Sequence, residues 1–145
     1  MARKKKGSEP KIVYTYGVFD LFHRGHAELL KEAKALGDVL VVGVFTDGVA
    51  ESFKRKPVIG HKDRMAVVAS LRYVDRVVPL NQLAPDESLK RLKPHVLAKG
   101  PGAGWGEKNE IPGAATMKKL GGKVVKLKYH NGISTSDIIK KIKTI

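Results

Sequence analysis

The chain contains no cysteine. Disulfide frameworks and thiolate metal centres are therefore excluded, which suits a cytoplasmic setting. There is no apolar run approaching 20 residues, and no charged-then-apolar leader ending in a small-residue cleavage site. Neither a membrane span nor a secretory signal is expected. Aromatic residues make up only 6%, with a single tryptophan. That is a poor basis for the stacking platforms of common RNA-binding modules. Acidic residues are scarce too: 14 Asp and Glu stand against 28 Lys and Arg, a net charge of +14.

Such a charge attracts polyanions, whether nucleic acid, anionic membrane or phosphorylated small molecules. In the first ten residues, which read as a flexible basic tail, Arg3, Lys4, Lys5 and Lys6 against Glu9 account for only +3 of it. The part expected to fold, residues 11–145, is basic as well. At 145 residues and 42% hydrophobic content it is long enough for one sizeable core and short of two.

The pattern along the chain alternates between strand and helix. "KIVYTYGVF" (11–19) and "DVLVVGVFT" (38–46) are nearly continuous apolar runs, as in strands buried on both faces. Between them Leu29, Leu30, Ala33 and Leu36 mark one face of a helix from about Gly25 to Leu36, stopped by Gly37. After a basic segment, "SFKRKPVIG" (52–60), come a helix (61–74), a short strand (75–80), a helix (85–93) and a strand (94–100). A glycine-rich loop (101–113), a helix (114–121), a strand (123–129) and a last helix (134–145) complete the order. Five strands alternating with helices predict an α/β, Rossmann-like, doubly wound sheet of five parallel strands with helices on both faces. Ligands of such sheets bind beyond the C-terminal strand ends, at the switch point of strand order.

Residues with chemical capacity cluster at those ends. In "GVFDLFHRGH" (17–26), His23 and His26 stand three apart at a strand-to-helix handover, so their side chains share a helix face. Gly25 between them would let a ligand approach the backbone. A helix N-terminus offers free N–H groups and the positive end of the helix dipole, and two imidazole donors beside it make an anion site. Phosphate is the obvious anion. A two-histidine metal site fits less well, because it needs i, i+4 spacing or further ligands. A second helix start, "GISTSDII" (132–139), has Ser134, Thr135 and Ser136 after Gly132 and Ile133. One hydroxyl there caps the helix, and the others are placed to meet phosphate.

These two segments carry a family resemblance. "TYGVFDLFHRGHAELL" (15–30) resembles the HxGH signature of the nucleotidylyltransferase superfamily, and is similar in particular to the glycerol-3-phosphate and phosphoethanolamine cytidylyltransferases. "GISTSDII" is similar to their second signature, and the likeness runs from about residue 11 to 143. The resemblance implies that a phosphate monoester attacks the α-phosphorus of a nucleoside triphosphate in line, expelling pyrophosphate. It implies CMP transfer from CTP, with an adenylyltransferase using ATP and FMN or a sugar phosphate as the alternative. It makes His23 and His26 the catalytic donors, joined by Lys54 from "FKRKP" (53–57), with Lys56 able to take that part. It places the nucleotide against Gly17, Val18, Phe19, Asp20, Gly25, Lys99, Gly100, Gly132, Ile133, Ser134, Thr135 and Ser136. The acceptor falls to Lys56, Arg64 and Trp105. Asp20 would orient the site or help hold Mg²⁺, the expected cofactor. Relatives of this size commonly form homodimers.

The likeness has a local exception. The fourth strand ends in "LAKGPGAGW", without the acidic residues usual there in cytidylyltransferases of the glycerol-phosphate type. "AKG" is similar instead to the adenylyltransferase domain that makes nucleotide-activated heptose, and "GP" to the archaeal FMN adenylyltransferases. An expected arginine before "GIST" is replaced by Tyr129, His130 and Asn131. A basic nucleic-acid-binding module is the competing reading from another class; the low aromatic content argues against it.

Overall fold

The computed structural model describes residues 9–100, 110–128 and 132–145. The basic tail up to residue 8, Trp105 with its loop, and residues 129–131 lie outside the described residues.

The elements run β1 (Ile12–Gly17), α1 (Arg24–Lys34), β2 (Val39–Phe45), α2 (Asp47–Phe53), α3 (His61–Ala69), β3 (Arg76–Leu80), α4 (Asp86–Leu92), β4 (Val96–Lys99), α5 (Ala114–Lys119), β5 (Lys123–Lys126) and α6 (Thr135–Lys143). All strand pairs are parallel, in the order β3-β2-β1-β4-β5. The chain thus winds outward from β1 through β2 to β3, then crosses back to place β4 on the other side of β1. The switch point lies between β1 and β4, where such sheets open a crevice.

Burial follows this order. β1 and β2 are central, and from Val13 to Gly17 and Leu40 to Phe45 every residue is buried. The edge strands are less covered: β5 reads Lys-Val-Val-Lys, with both lysines exposed, and β3 carries Pro79. Charge and proline are what an unpaired strand edge tolerates. Alternate side chains of the central strands enter two cores. Val13, Leu40, Val42 and Val44 pack with Leu30 and Ala33 of α1 and Val68 of α3. Tyr14, Tyr16, Val41 and Phe45 pack on the opposite face with Ala50 of α2, Leu89 of α4 and Met117 of α5. The doubly wound expectation therefore holds. Among the described residues, no helix is long and apolar enough to cross a membrane.

Two boundaries differ from the sequence expectation, each for a local reason. The first strand stops at Gly17 rather than Phe19, because Phe19 turns into the left-handed region (φ 56°) and ends the extended run. The stretch after β2 contains a helix, α2, that periodicity does not reveal. It is only seven residues long and includes Gly48 and Val49, both weak helix formers. Its start is set by Thr46, whose hydroxyl accepts the Val49 N–H.

Gly43 of β2 shows how tightly the second core closes. A Cβ built there would lie 2.1 Å from the Tyr14 hydroxyl and 3.0 Å from its ring. Tyr14 is fully buried and has nowhere to move. Gly43→Ala is expected to cost about 1–3 kcal/mol by overpacking, measured by urea unfolding.

Candidate active site

The turn after β1 determines the site. Phe19 (φ 56°) and Leu21 (φ 49°) both occupy the left-handed region, which costs a non-glycine residue about 1–2 kcal/mol. The turn directs the Asp20 carboxylate inward, where it is 3% exposed. There it accepts the Ile59 N–H (2.9 Å), the Val58 N–H (2.8 Å) and an Arg55 N–H (2.9 Å). Burial alone would raise its pKa. The two backbone donors and the guanidinium outweigh that and hold it below the ordinary carboxylate value.

The turn delivers the chain to α1, whose start is built from the two histidines. His23 is the N-cap, its Nδ1 accepting the Gly25 N–H at 3.0 Å. His26 Nδ1 accepts the His23 N–H at 3.3 Å. A Cβ on residue 25 would lie 2.9 Å from His23 Cε1, so the glycine is there first to let the imidazole fold over the helix start. The rings stack with centroids 3.8 Å apart, and His26 also meets the rings of Phe19 and Phe22. Burial, then His23 and Lys54, push the His26 pKa down to about 3, and burial lowers that of His23. Both rings are neutral at pH 7. Because each Nδ1 accepts a backbone N–H, each proton sits on Nε2. His23 Nε2–H points to Thr135 Oγ1 (3.4 Å), and that hydroxyl donates to the Asp20 carbonyl (3.1 Å). The starts of α1 and α6 are joined in this way, although their residues are 112 apart in sequence.

One cleft opens at the switch point. It is lined by Gly17, Val18, Phe19, Asp20, His26, Lys54, Lys99, Gly100 and Thr135 among the residues singled out from sequence. His23 borders it through its contacts with His26 and Thr135. Lys54 ends α2 and faces the cleft; its pKa is lowered by burial and by neighbouring Arg55. Lys99 ends β4, and its Nζ donates to the Tyr16 carbonyl (2.8 Å) while standing 4.7 Å from the centre of the Tyr16 ring. Burial and then the charge of Lys54 bring its pKa down to about 8.

Other expected residues stand elsewhere. Lys56 is exposed and off the cleft wall, so of the two loop lysines it is Lys54 that faces in. Ser134 is the N-cap of α6, accepting the Asp137 N–H, and Ser136 is exposed. Gly25, Gly132 and Ile133 shape the helix starts without lining the cleft. Trp105 lies outside the described residues.

Two expectations need correction. Arg64 does not reach a substrate: its side chain is fully buried, and its three nitrogens donate to Ile59 O (2.8 Å), Val18 O (2.7 Å) and Asp47 Oδ1 (2.7 Å). Asp20 does not fit a magnesium ligand, because both its oxygens already accept hydrogen bonds. No cluster of three or more His, Asp or Glu suited to a metal occurs among the described residues.

Sequence reasoning missed Arg55 and the aromatic residues Tyr16, Phe45 and Phe53, which also line the cleft. A signal for Arg64 was present. Arg64 and Val68, at i and i+4, are the two buried positions of α3, so the arginine lies on the helix's inward stripe.

Two outcomes are expected. Asp20→Ala, which strips three donors of their acceptor, should cost about 3 kcal/mol in urea unfolding. At pH 6, ¹⁵N NMR should show His26 as the neutral Nε2–H tautomer. Between its unfolded pKa of 6.5 and its folded value of about 3, the unfolded chain binds more protons at this ring. Stability from this group is therefore complete above pH 6.5 and lost as pH falls, a slope that His26→Gln should flatten.

Comparisons with known proteins bear on the family and the fold. Residues 14–141 match the family model described as cytidylyltransferase-like. The chain is 42% identical over 137 residues to the bifunctional protein HldE of Helicobacter pylori, and 36% identical over 143 residues to that of Pelobacter propionicus. These matches cover 93% and 97% of the chain, which spans only 28% of each relative. A crystal structure titled as a lipopolysaccharide core biosynthesis protein, from Thermoplasma volcanium, superposes with a TM-score of 0.69 at 29% identity, over 86% of this chain and all of that one. With most of its length inside the family model and its site at the switch point of the same fold, the chain belongs to the cytidylyltransferase-like family.

Proposed function

We propose that the chain is a nucleotidylyltransferase that passes an adenylyl group from ATP to a sugar phosphate and releases pyrophosphate. The observation that carries this reading is the switch-point cleft. It brings the Nε2–H face of a neutral histidine, two helix starts and two lysines together around one cleft. The acceptor phosphate is already an anion at neutral pH, so its oxygen attacks the α-phosphorus without a protein base. A bond forms from that oxygen to phosphorus, and the bond to the bridging oxygen of pyrophosphate breaks. Asp20 is consistent with this economy, since its carboxylate is spent on Ile59, Val58 and Arg55. The chain's part is to orient the two phosphates and to meet charge as it develops. His26 Nε2–H donates to a non-bridging oxygen of the transferred phosphorus, and His23 holds α6 against α1 through Thr135.

ATP is preferred here over the CTP that the first signature suggests. The "AKG" at the end of β4 is similar to the adenylyltransferase domain that makes nucleotide-activated heptose. The likenesses to HldE and to the lipopolysaccharide core protein point the same way. A sugar phosphate is the acceptor those likenesses favour. Mg²⁺ is proposed to arrive with the nucleotide, held by phosphate oxygens and water.

Pyrophosphate release tests the reading, with ATP and CTP offered separately, Mg²⁺ in the buffer, and a panel of sugar phosphates. Turnover is expected with ATP, and His26→Ala should lower it about 10²–10³-fold, the cost of one such donor. Turnover with CTP alone would overturn the nucleotide assignment. A His26→Ala variant as active as the parent would overturn the site.

A further inference from the structure

In-line displacement places the attacking oxygen and the leaving pyrophosphate on opposite sides of the transferred phosphorus. A cleft built for it needs two anion seats, one on each flank. This cleft has two flanks of different character. On one, Thr135 at the start of α6 meets His23, on which His26 stacks, beside the Phe19 and Phe22 rings that belong to the core under α1 and α3. Its donors are neutral: imidazole Nε2–H, hydroxyl and helix N–H groups. On the other flank, Lys99 Nζ stands over the Tyr16 ring, which belongs to the core on the opposite face of the sheet. Lys54 is its charged neighbour. Phe45 and Phe53 line the cleft there, in edge contact with each other and, for Phe45, with Tyr16.

Lys99 is an unusual lysine. Among the described residues it forms no ion pair with a carboxylate, and its one hydrogen bond runs to a backbone carbonyl. Lys54 lines the same cleft, and its charge is felt at Lys99. Two lysines lining one cleft beside aromatic rings, neither of them in an ion pair with a carboxylate, are a seat for an incoming anion with several oxygens. Lysine suits this because its ammonium is a point charge with three donors, of which one is used here.

Resting on the nucleotidyl-transfer reading, we infer that Lys99 and Lys54 seat the phosphate of the acceptor, while the nucleotide's phosphates take the histidine and α6 flank. Phe45 and Phe53 then face the acceptor's organic part, whose C–H surface an aromatic wall accommodates. This moves Lys99 from the nucleotide to the acceptor, and makes it the residue that selects a phosphorylated over an unphosphorylated sugar.

The test is calorimetric titration of the full chain with three probes: inorganic phosphate, glucose 1-phosphate and ATP. Lys99→Met should weaken phosphate and glucose 1-phosphate more than tenfold and ATP less than twofold. Lys99→Arg should restore the first two to within about threefold. Should Lys99→Met fold poorly, Lys54→Ala at an exposed helix end should show the same asymmetry at smaller size. A second readout is proton uptake. The groups facing Lys99 are Lys54, His26, Tyr16, Arg55 and Asp20; His26 and Asp20 are held well below pH 8 and Tyr16 well above it, while burial lowers Lys54 from its ordinary value as it lowers Lys99. Above pH 8, phosphate binding to the parent should take up protons, seen as buffer-dependent heat that Lys99→Arg reduces. Equal or greater weakening of ATP than of phosphate in Lys99→Met, or no change in either, would overturn the assignment. Because phosphate binding needs no turnover, a failed adenylyl-transfer assay beside the expected phosphate loss would overturn the donor reading and leave the Lys99 seat standing.

Discussion

The arrangement rests on the Asp20 carboxylate and the donors it collects. A carboxylate taken out of water costs several kcal/mol unless nearly every lone pair is used. Asp20 meets that condition with two backbone N–H groups and Arg55. Arg64 completes the tie from the opposite polarity. Where Asp20 accepts the N–H of Ile59, Arg64 donates to the carbonyl of the same residue and to that of Val18. One residue, Ile59, is thus held at both of its peptide groups by charged side chains from two other segments. These bonds offset the left-handed backbone at Phe19 and Leu21 and fix where α1 begins.

With that frame set, the site can divide its labour between neutral donors and cations. The histidines cannot become cations without losing their caps, since a protonated Nδ1 has no lone pair for the backbone N–H. They supply directed Nε2–H donors. Such donors are aimed rather than strongly attractive, and in the proposed transfer they would strengthen as charge builds on phosphorus. In the proposed transfer the attraction would come from Lys54 and Lys99, and at longer range from a chain with 28 basic residues against 14 acidic ones.

The sequence made the order of elements legible because each central strand is a continuous apolar run, and α1 keeps a clean helical stripe. It made the histidine pair legible because spacing and neighbours carried the meaning. It did not reveal which cation does what. "FKRKP" and "HKDRM" both look like solvated basic segments, yet Lys54 faces the cleft, Arg55 closes on Asp20, Lys56 faces solvent and Arg64 is buried. A charge run states how much charge is present; its direction depends on where the backbone turns, which Asp20 sets from 35 residues away. α2 was hidden for a related reason. Its cap, Thr46, and its packing against the second core stabilise a segment with little helix propensity of its own.

The docking of α6 is the last step in assembling the site, and it is also the least secured. Thr135 is the one buried residue of this helix, while Ile142 is 53% exposed. Ile138 reaches the apolar groove formed by Phe19, Leu21 and Phe22. The helix is therefore fastened chiefly at its start, by the hydroxyl shared between His23 and the Asp20 carbonyl. Elements with few buried contacts open at low free-energy cost, well before the sheet does. Opening α6 would free His23 Nε2–H and remove Thr135 from the cleft while leaving both cores intact. The same bond that orients the histidine thus decides whether the cleft is complete. An anion bridging the starts of α1 and α6 would favour the docked state over the open one by its added contacts. In the proposed reaction, triphosphate binding and closure of the site would be one equilibrium, linked through Thr135.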